Sequence, residues 1–307
     1  MPAASNARRR CSILKPTDFL QLILLAAIWG GSFLFMRIGA HDFGPVPMTC
    51  IRVGLASLVL LPLLAWRGGW AEVRASWRQM LVLGLVNTAL PFALFVYAAL
   101  SITAGMSSIL NATSPLFGAL VAALWLGEKI TAARAVGFLI AFGGVAYLAW
   151  DHAEFKPGGS GWAVVACLVA ALCYGVAASY TRRYVKGVRP LAIASGSLGA
   201  ATLWLLVPAV RLWPAAAPAP QSWLAVSLLA VLCTALAYLI YFRLMLRVGP
   251  TNAIAVTFLN PVFAVLWGNV FLGEALEPRM LMGCAVVLFG TALGLGVIRF
   301  SRLALRS

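Results

Sequence analysis

The residues best suited to handle a solute are polar and ring-bearing side chains that interrupt long apolar runs. Trp29 and Ser32 lie three apart, on one helical face, within the Gly-rich stretch Trp29-Gly30-Gly31-Ser32. Asn87, Thr88 and Pro91 are followed by Phe92 and Phe95, and Asn111, Thr113, Ser114 and Pro115 form a second cluster. Further along stand Tyr174, then Thr234, Tyr238 and Tyr241, then Thr257, Asn260 and Pro261. Lipid-facing positions should be hydrocarbon, so polar groups inside such runs mark a pathway or a packed interior. The rings suit an apolar or zwitterionic solute, and the carboxamides of Asn87, Asn111 and Asn260 would orient it. The expected substrate-binding set is Trp29, Ser32, Asn87, Pro91, Phe95, Asn111, Ser114, Tyr174, Thr234, Tyr238, Tyr241 and Asn260, lining a neutral aromatic cavity. A plainer reading stands beside it: Tyr and Trp also decorate membrane interfaces, and prolines also kink helices for packing alone.

Catalytic apparatus is sparse. No Asp or Glu lies mid-run, and the two histidines, His41 and His152, fall in loops. An integral-membrane enzyme acting on lipid would need an acid, base, nucleophile or metal cluster, so that reading ranks below transport. A flippase or channel of the same architecture stays open. Proton coupling commonly uses a buried carboxylate, so the expectation is transport down the substrate's own gradient, or weak coupling. Cys11, Cys50, Cys167, Cys173, Cys233 and Cys284 form no CxxC pair, and no metal or other cofactor is expected.

The elements that must position these residues are transmembrane helices. Of 307 residues, 63% are apolar and 10% charged, against about 25% charged in a soluble domain. Ten runs of spanning length are expected near 18–39, 46–66, 78–99, 105–126, 133–150, 161–182, 190–212, 222–244, 251–272 and 280–300. Residues 1–17 and 301–307 are tails and 151–160 a linker on the outer face. The net charge of +15 does not point to nucleic acid, because the basic residues flank apolar runs. With the N-terminus inside, 18 of the 23 Lys and Arg fall on one side, leaving Arg37, Arg52, Lys156, Arg211 and Arg279 on the other. Both termini are therefore expected in the cytoplasm, and the first run reads as a retained helix rather than a cleaved leader.

The chain also repeats. An offset of 146 residues lays Ser76-Trp77 on Ser222-Trp223, Thr88 on Thr234, Pro115 on Pro261 and Leu126-Gly127-Glu128 on Leu272-Gly273-Glu274. With a one-residue shift, Trp29-Gly30 falls on Tyr174-Gly175, Arg37 on Arg182, Pro45 on Pro190 and Gly54 on Gly199. Five helices per copy (18–150 and 161–300) is an odd number, so the second copy must be inverted in the membrane. Inverted repeats place a substrate site near the midplane between them. Trp29-Gly30-Gly31-Ser32-Phe33, Arg52, the Pro115 and Pro261 helices and the two Leu-Gly-Glu endings together resemble the EamA-type drug/metabolite transporter superfamily. The resemblance covers essentially the whole chain. It implies a multi-pass protein, in a bacterium of the inner membrane, that exports amino acids or other metabolites through a cavity of helices 1, 3, 4, 6, 8 and 9. Its partners would be a small-molecule substrate and membrane lipid. Arg37, Arg52 and Arg243 lie within a few residues of helix ends and are expected to snorkel to phosphates; Arg52 capping a gate through a carbonyl or Asp42 is the alternative. The Gly290/Gly294 spacing serves packing within the chain or a homodimer.

Overall fold

The computed structural model describes residues 16–150, 154–155, 159–249 and 256–296, all helix or connecting loop, with no strand among them. The N-terminal tail to residue 15, most of the 151–160 linker, the start of the ninth expected run and everything from 297 lie outside the described residues. Among the described residues eight helices are long and apolar enough to cross a bilayer: α1 (Pro16–Phe43), α2 (Pro45–Trp66), α3 (Trp77–Ala98), α4 (Ala104–Leu126), α5 (Ala132–Ala149), α6 (Ser160–Tyr184), α7 (Pro190–Arg211) and α8 (Pro220–Val248). Two shorter apolar helices follow, α9 (Val256–Leu272) and α10 (Pro278–Gly294). Pro45, Pro190, Pro220 and Pro278 open their helices, where the missing amide hydrogen costs nothing. Trp66, Trp77, Trp150, Trp162, Trp213 and Trp223 stand exposed near helix ends, as an interfacial belt requires.

Packing follows the repeat. α1 packs on α9 and α8, and the equivalent α6 packs on α4 and α3; α2 pairs with α7, and α5 with α10. Exchanging the halves maps the α1 contacts onto the α6 contacts and the α2–α7 and α5–α10 pairs onto themselves. The glycines show why. A Cβ on Gly30 would lie 2.7 Å from the Cβ of Phe263 in α9, and one on Gly175 would lie 2.7 Å from the carbonyl carbon of Phe117 in α4. Gly30 and Gly175 are repeat mates, as are Phe117 and Phe263, so one close crossing is built twice. The Gly290 and Gly294 face is used inside the chain: added Cβ atoms there would strike Ala141 of α5 and Leu116 of α4.

The third helix of each half departs from α geometry. Residues Gly84–Ala89 in α3 and Val231–Leu236 in α8 form π-helical turns, a feature frequent at functional sites. In α3 the turn precedes Pro91, which removes a backbone donor. In α8 no proline follows the turn, and the hydroxyl of Thr234 donates to the Leu229 carbonyl at 2.8 Å. α4 is interrupted at Ala112 and Thr113, ahead of Pro115, whereas α9 runs helically through Pro261.

Candidate functional site

The aromatic residues expected to line a pathway meet where the two halves face each other. Trp29 of α1 packs on Tyr241 of α8, with ring centroids 5.2 Å apart. Phe95 of α3 stacks on Tyr174 of α6 at 6.2 Å and meets Phe33 of α1 edge-on at 5.7 Å. Tyr174 packs against both apolar clusters of the bundle, the one holding Phe33 and Phe95 and the one holding Phe92. Tyr238 stacks on Phe242 at 5.8 Å. These rings fill the space between helices 1, 3, 6 and 8.

The centre is not neutral, contrary to the sequence expectation. Arg52, seven residues into α2, is only 6% exposed. Its guanidinium lies 3.7 Å from the centroid of the Phe92 ring. Its Nε donates to Thr234 Oγ1 at 3.0 Å, and Nη1 approaches Met36 Sδ at 3.8 Å. Thr234 is the middle residue of α8, so the charge sits deep in the bundle rather than at a headgroup. Snorkelling fails here because the side chain is directed across the bundle, toward α8 and α3. Asp42 is not its partner either: that carboxylate accepts from Ala219 N at 3.0 Å and Ser222 Oγ at 2.7 Å, at the start of α8. Among the described residues no carboxylate lies within ion-pair reach of Arg52. Burying an ion costs several kcal/mol. One desolvated cation–π contact returns about 2 kcal/mol, and one hydrogen bond from a charged donor about 1.5–3 kcal/mol.

Two ion pairs stand at opposite ends of the helices and are related by the repeat. At one end Arg37 Nε lies 3.8 Å from Glu274 Oε1. Both Glu274 oxygens accept from Ala104 N at 3.1 Å, and Arg37 Nη1 donates to the Ala99 carbonyl. Arg37 thus ties three helices together instead of reaching for phosphate. At the other end Arg182 pairs with Glu128, which also has Arg134 at 3.7 Å. The Leu-Gly-Glu endings explain the placement. Gly127 and Gly273 adopt φ of 72° and 65°, the left-handed conformation that stops a helix, and each delivers its Glu to the mouth of the bundle. The pairs differ in setting: the Glu274 side chain is 10% exposed and Glu128 30%. A cleft of about 330 Å³, lined by Trp125, Leu126, Arg182, Arg183 and Lys186, opens beside the second pair. Arg243 is exposed.

The remaining expected residues are distributed less tightly. Ser32 is buried in the middle of α1. The Ser114 hydroxyl lies 2.6 Å from the Asn111 carbonyl and 3.0 Å from its Oδ1, so its one proton is shared between them at the break in α4. Asn260 is buried, its Oδ1 has no hydrogen-bond partner, and its carbonyl faces Gly30. Pro91 is buried beneath the α3 π-turn and Asn87 is half-buried within it. Arg37 departs from the expected snorkelling, and so does Arg52. A signal for Arg52 existed: the register that aligns Pro45 with Pro190 sets Arg52 against Ser197, so one copy carries a charge the other lacks.

The profile of the EamA-like transporter family matches residues 18–150 and again residues 161–295. The chain is 29% identical over 277 residues to a probable terminal-alkyne amino-acid exporter of Streptantibioticus cattleyicolor, covering 89% of this chain and 91% of that one. It is 26% identical to the uncharacterized inner membrane transporter YedA of Escherichia coli strain K12, covering 90% and 89%. A solved structure titled only "Crystal structure of protein" matches with a TM-score of 0.65 at 19% identity, over 93% of this chain and 99% of that one, which shows a shared fold. The two-repeat match and the apolar helices make this a multi-pass membrane protein.

Proposed function

The chain belongs to the EamA-like transporter family, and from that premise we propose that it exports a small metabolite, amino-acid-like or hydrophobic, by alternating access between its two repeats. The observation that carries the reading is the pair of repeat-related ion pairs, Arg37–Glu274 and Arg182–Glu128, one at each mouth of the bundle. Alternating access needs a barrier at each end that forms while the other opens. Here the Glu274 barrier is the less exposed and is multiply bonded, and the Glu128 barrier is more exposed and stands beside an open cleft.

In this reading all ten helices cross the bilayer, including the 17-residue α9 and α10, which meet the lower limit of roughly 17 residues. Both termini lie in the cytoplasm of a bacterial inner-membrane protein, which places Glu274 outside and Glu128 inside. The structure then corresponds to a state closed to the outside. Trp29, Phe95, Tyr174, Tyr238 and Tyr241 line the route, and their rings must part for a solute to pass. With no carboxylate in the middle of a described helix, transport runs down the solute's own gradient.

Reconstitution of the purified chain into liposomes, with uptake of labelled amino acids, nucleosides and dyes, tests the proposal. Uptake of at least one class, equal with and without a proton gradient, is expected. Failure to move any solute under any gradient overturns the transporter reading, and strong gradient dependence overturns the facilitator part.

A further inference from the structure

We propose that Arg52 is a carboxylate-binding residue, and that the solute carried by this protein is an apolar or aromatic carboxylic acid, free amino acids included. The proposal deepens the transporter reading and relies on it for what the bound acid is for, not for whether it binds.

Three observations converge. Arg52 is buried at the level of the middle of α8, yet its guanidinium is under-used. Of its five N–H groups, Nε–H is held by Thr234 and Nη1 meets only a thioether, a weak acceptor. Among the described residues no other oxygen accepts from it. Thr234 in turn passes its own proton to the Leu229 carbonyl, so its oxygen is fixed as an acceptor and the guanidinium is held in one orientation. Phe92 covers one face of that plane, leaving the Nη edge as the donor edge. A planar fork presenting parallel donors is matched by a carboxylate.

Secondly, the fold does not need a cation here. The repeat-equivalent residue, Ser197, is equally buried and bonds only within its own helix, to the Ala194 carbonyl at 3.1 Å. A bundle that closes over a serine in one half has no packing reason for a guanidinium in the other. Thr88, the equivalent of Thr234, shows the same contrast: its hydroxyl is buried with no partner.

Thirdly, what surrounds the charge fits the rest of such a molecule. Tyr174 and Tyr238 lie within electrostatic reach of Arg52. Beyond them lie the Trp29–Tyr241 and Phe33–Phe95 pairs. An acid held by Arg52 would lay its apolar part on these rings, and the ammonium of an amino acid would find aromatic faces in place of a carboxylate.

The test is ligand-induced thermal stabilisation of the purified full-length chain in detergent, with probes that differ at one group. The probes are 3-phenylpropanoate, hexanoate and phenylalanine, against 3-phenylpropanamide, phenethylamine and phenyl phosphate. Saturable stabilisation by one or more of the acids, with the amide and amine weaker by about tenfold or more in apparent Kd, is the expected result. Arg52→Gln should remove that preference and Arg52→Lys should keep only part of it, since an ammonium lacks the bidentate fork. Equal binding of acid and amide, phenyl phosphate binding in place of the acids, or no stabilisation by any acid would each overturn the assignment. Should Arg52→Gln fail to fold, the wild-type comparison of acid with amide decides alone. Acid binding without any transport in liposomes would sink the transporter reading and leave the carboxylate site standing.

Discussion

Ser57 of α2 and Thr202 of α7 occupy the same position in the two repeats, and their hydroxyl oxygens lie 3.5 Å apart. A residue can touch its own repeat mate only on the axis that relates the copies, so the pseudo-two-fold runs between α2 and α7. The local bonding is duplicated too. Ser57 Oγ donates to the Val53 carbonyl at 2.7 Å, and Thr202 Oγ1 to the Leu198 carbonyl at 3.0 Å; Val53 and Leu198 are again repeat mates. From this axis outward, agreement between the halves reports what the fold requires. Departures, such as Arg52 against Ser197, report what one half does alone.

The crossing glycines give a sharp test of what the fold requires. A methyl on Gly30 would meet backbone atoms of α9 as well as Phe263, the Asn260 carbonyl among them at 2.9 Å, and backbone cannot rotate away. A methyl on the adjacent Gly31 would meet only the Trp267 and Phe35 rings, at 3.8 and 3.9 Å. Gly30→Ala should cost about 1–3 kcal/mol, the range for overpacking, while Gly31→Ala stays near wild type. Thermal unfolding of the two variants in detergent checks this, and equal melting temperatures would contradict the crossing.

Much of this architecture was legible in the sequence, and the reasons differ by element. The long helices announced themselves because a spanning helix must be continuously apolar. The Leu-Gly-Glu endings were legible because a helix stop needs glycine and the Glu after it recurs. Trp29, Tyr174 and Tyr241 stand out in the sequence as rings within apolar runs, but spacing does not say which rings touch: Trp29 meets Tyr241, and Tyr174 meets Phe95. The direction of Arg52 was not legible, because position along a helix fixes depth but leaves open whether a long side chain reaches out or in. Nor was the π-turn of α8, which rests on the Thr234 hydroxyl and not on a proline.

The two repeat-related threonines should respond oppositely to loss of the hydroxyl. Thr234 accepts from a buried cation and donates to Leu229, so Thr234→Val takes the oxygen acceptor from Arg52 and should destabilise by about 1–3 kcal/mol. Thr234→Ser should restore most of it. Thr88 Oγ1 has no partner and is fully buried, so Thr88→Val should be neutral or stabilising. Unfolding of the three variants decides, and a loss at Thr88 equal to that at Thr234 would refute the distinction.

The two mouths should open at different cost. Glu274→Ala removes both acceptors of the Ala104 amide and the partner of Arg37. Hydrogen exchange across Ala104–Asn111 should then rise several-fold, since each 1.4 kcal/mol of lost local stability is about tenfold in opening. Glu128→Ala, at the more exposed pair, should leave that segment unchanged. Exchange that rises equally in both variants would remove the distinction between a tight and a loose barrier.

Glu72 offers a pH test outside the spans. It sits on the short helix Trp70–Ala75 and accepts from Arg189 N at 2.8 Å and from the Arg189 side chain, at the start of α7. These bonds, the backbone one foremost, hold its carboxyl below the ordinary value of 4.5. A carboxylate whose folded value is depressed binds its proton more readily in the unfolded chain. Its contribution is therefore complete above about 4.5, and is lost as pH falls through the folded value. Glu72→Gln should accordingly be less stable than wild type near neutrality, and the gap should close on acidification below that point. The group is exposed, so the gap will be small and salt-sensitive. Melting curves of both proteins between neutral pH and pH 3.5, at low and high salt, measure it; a gap that widens on acidification would reverse the assigned sign.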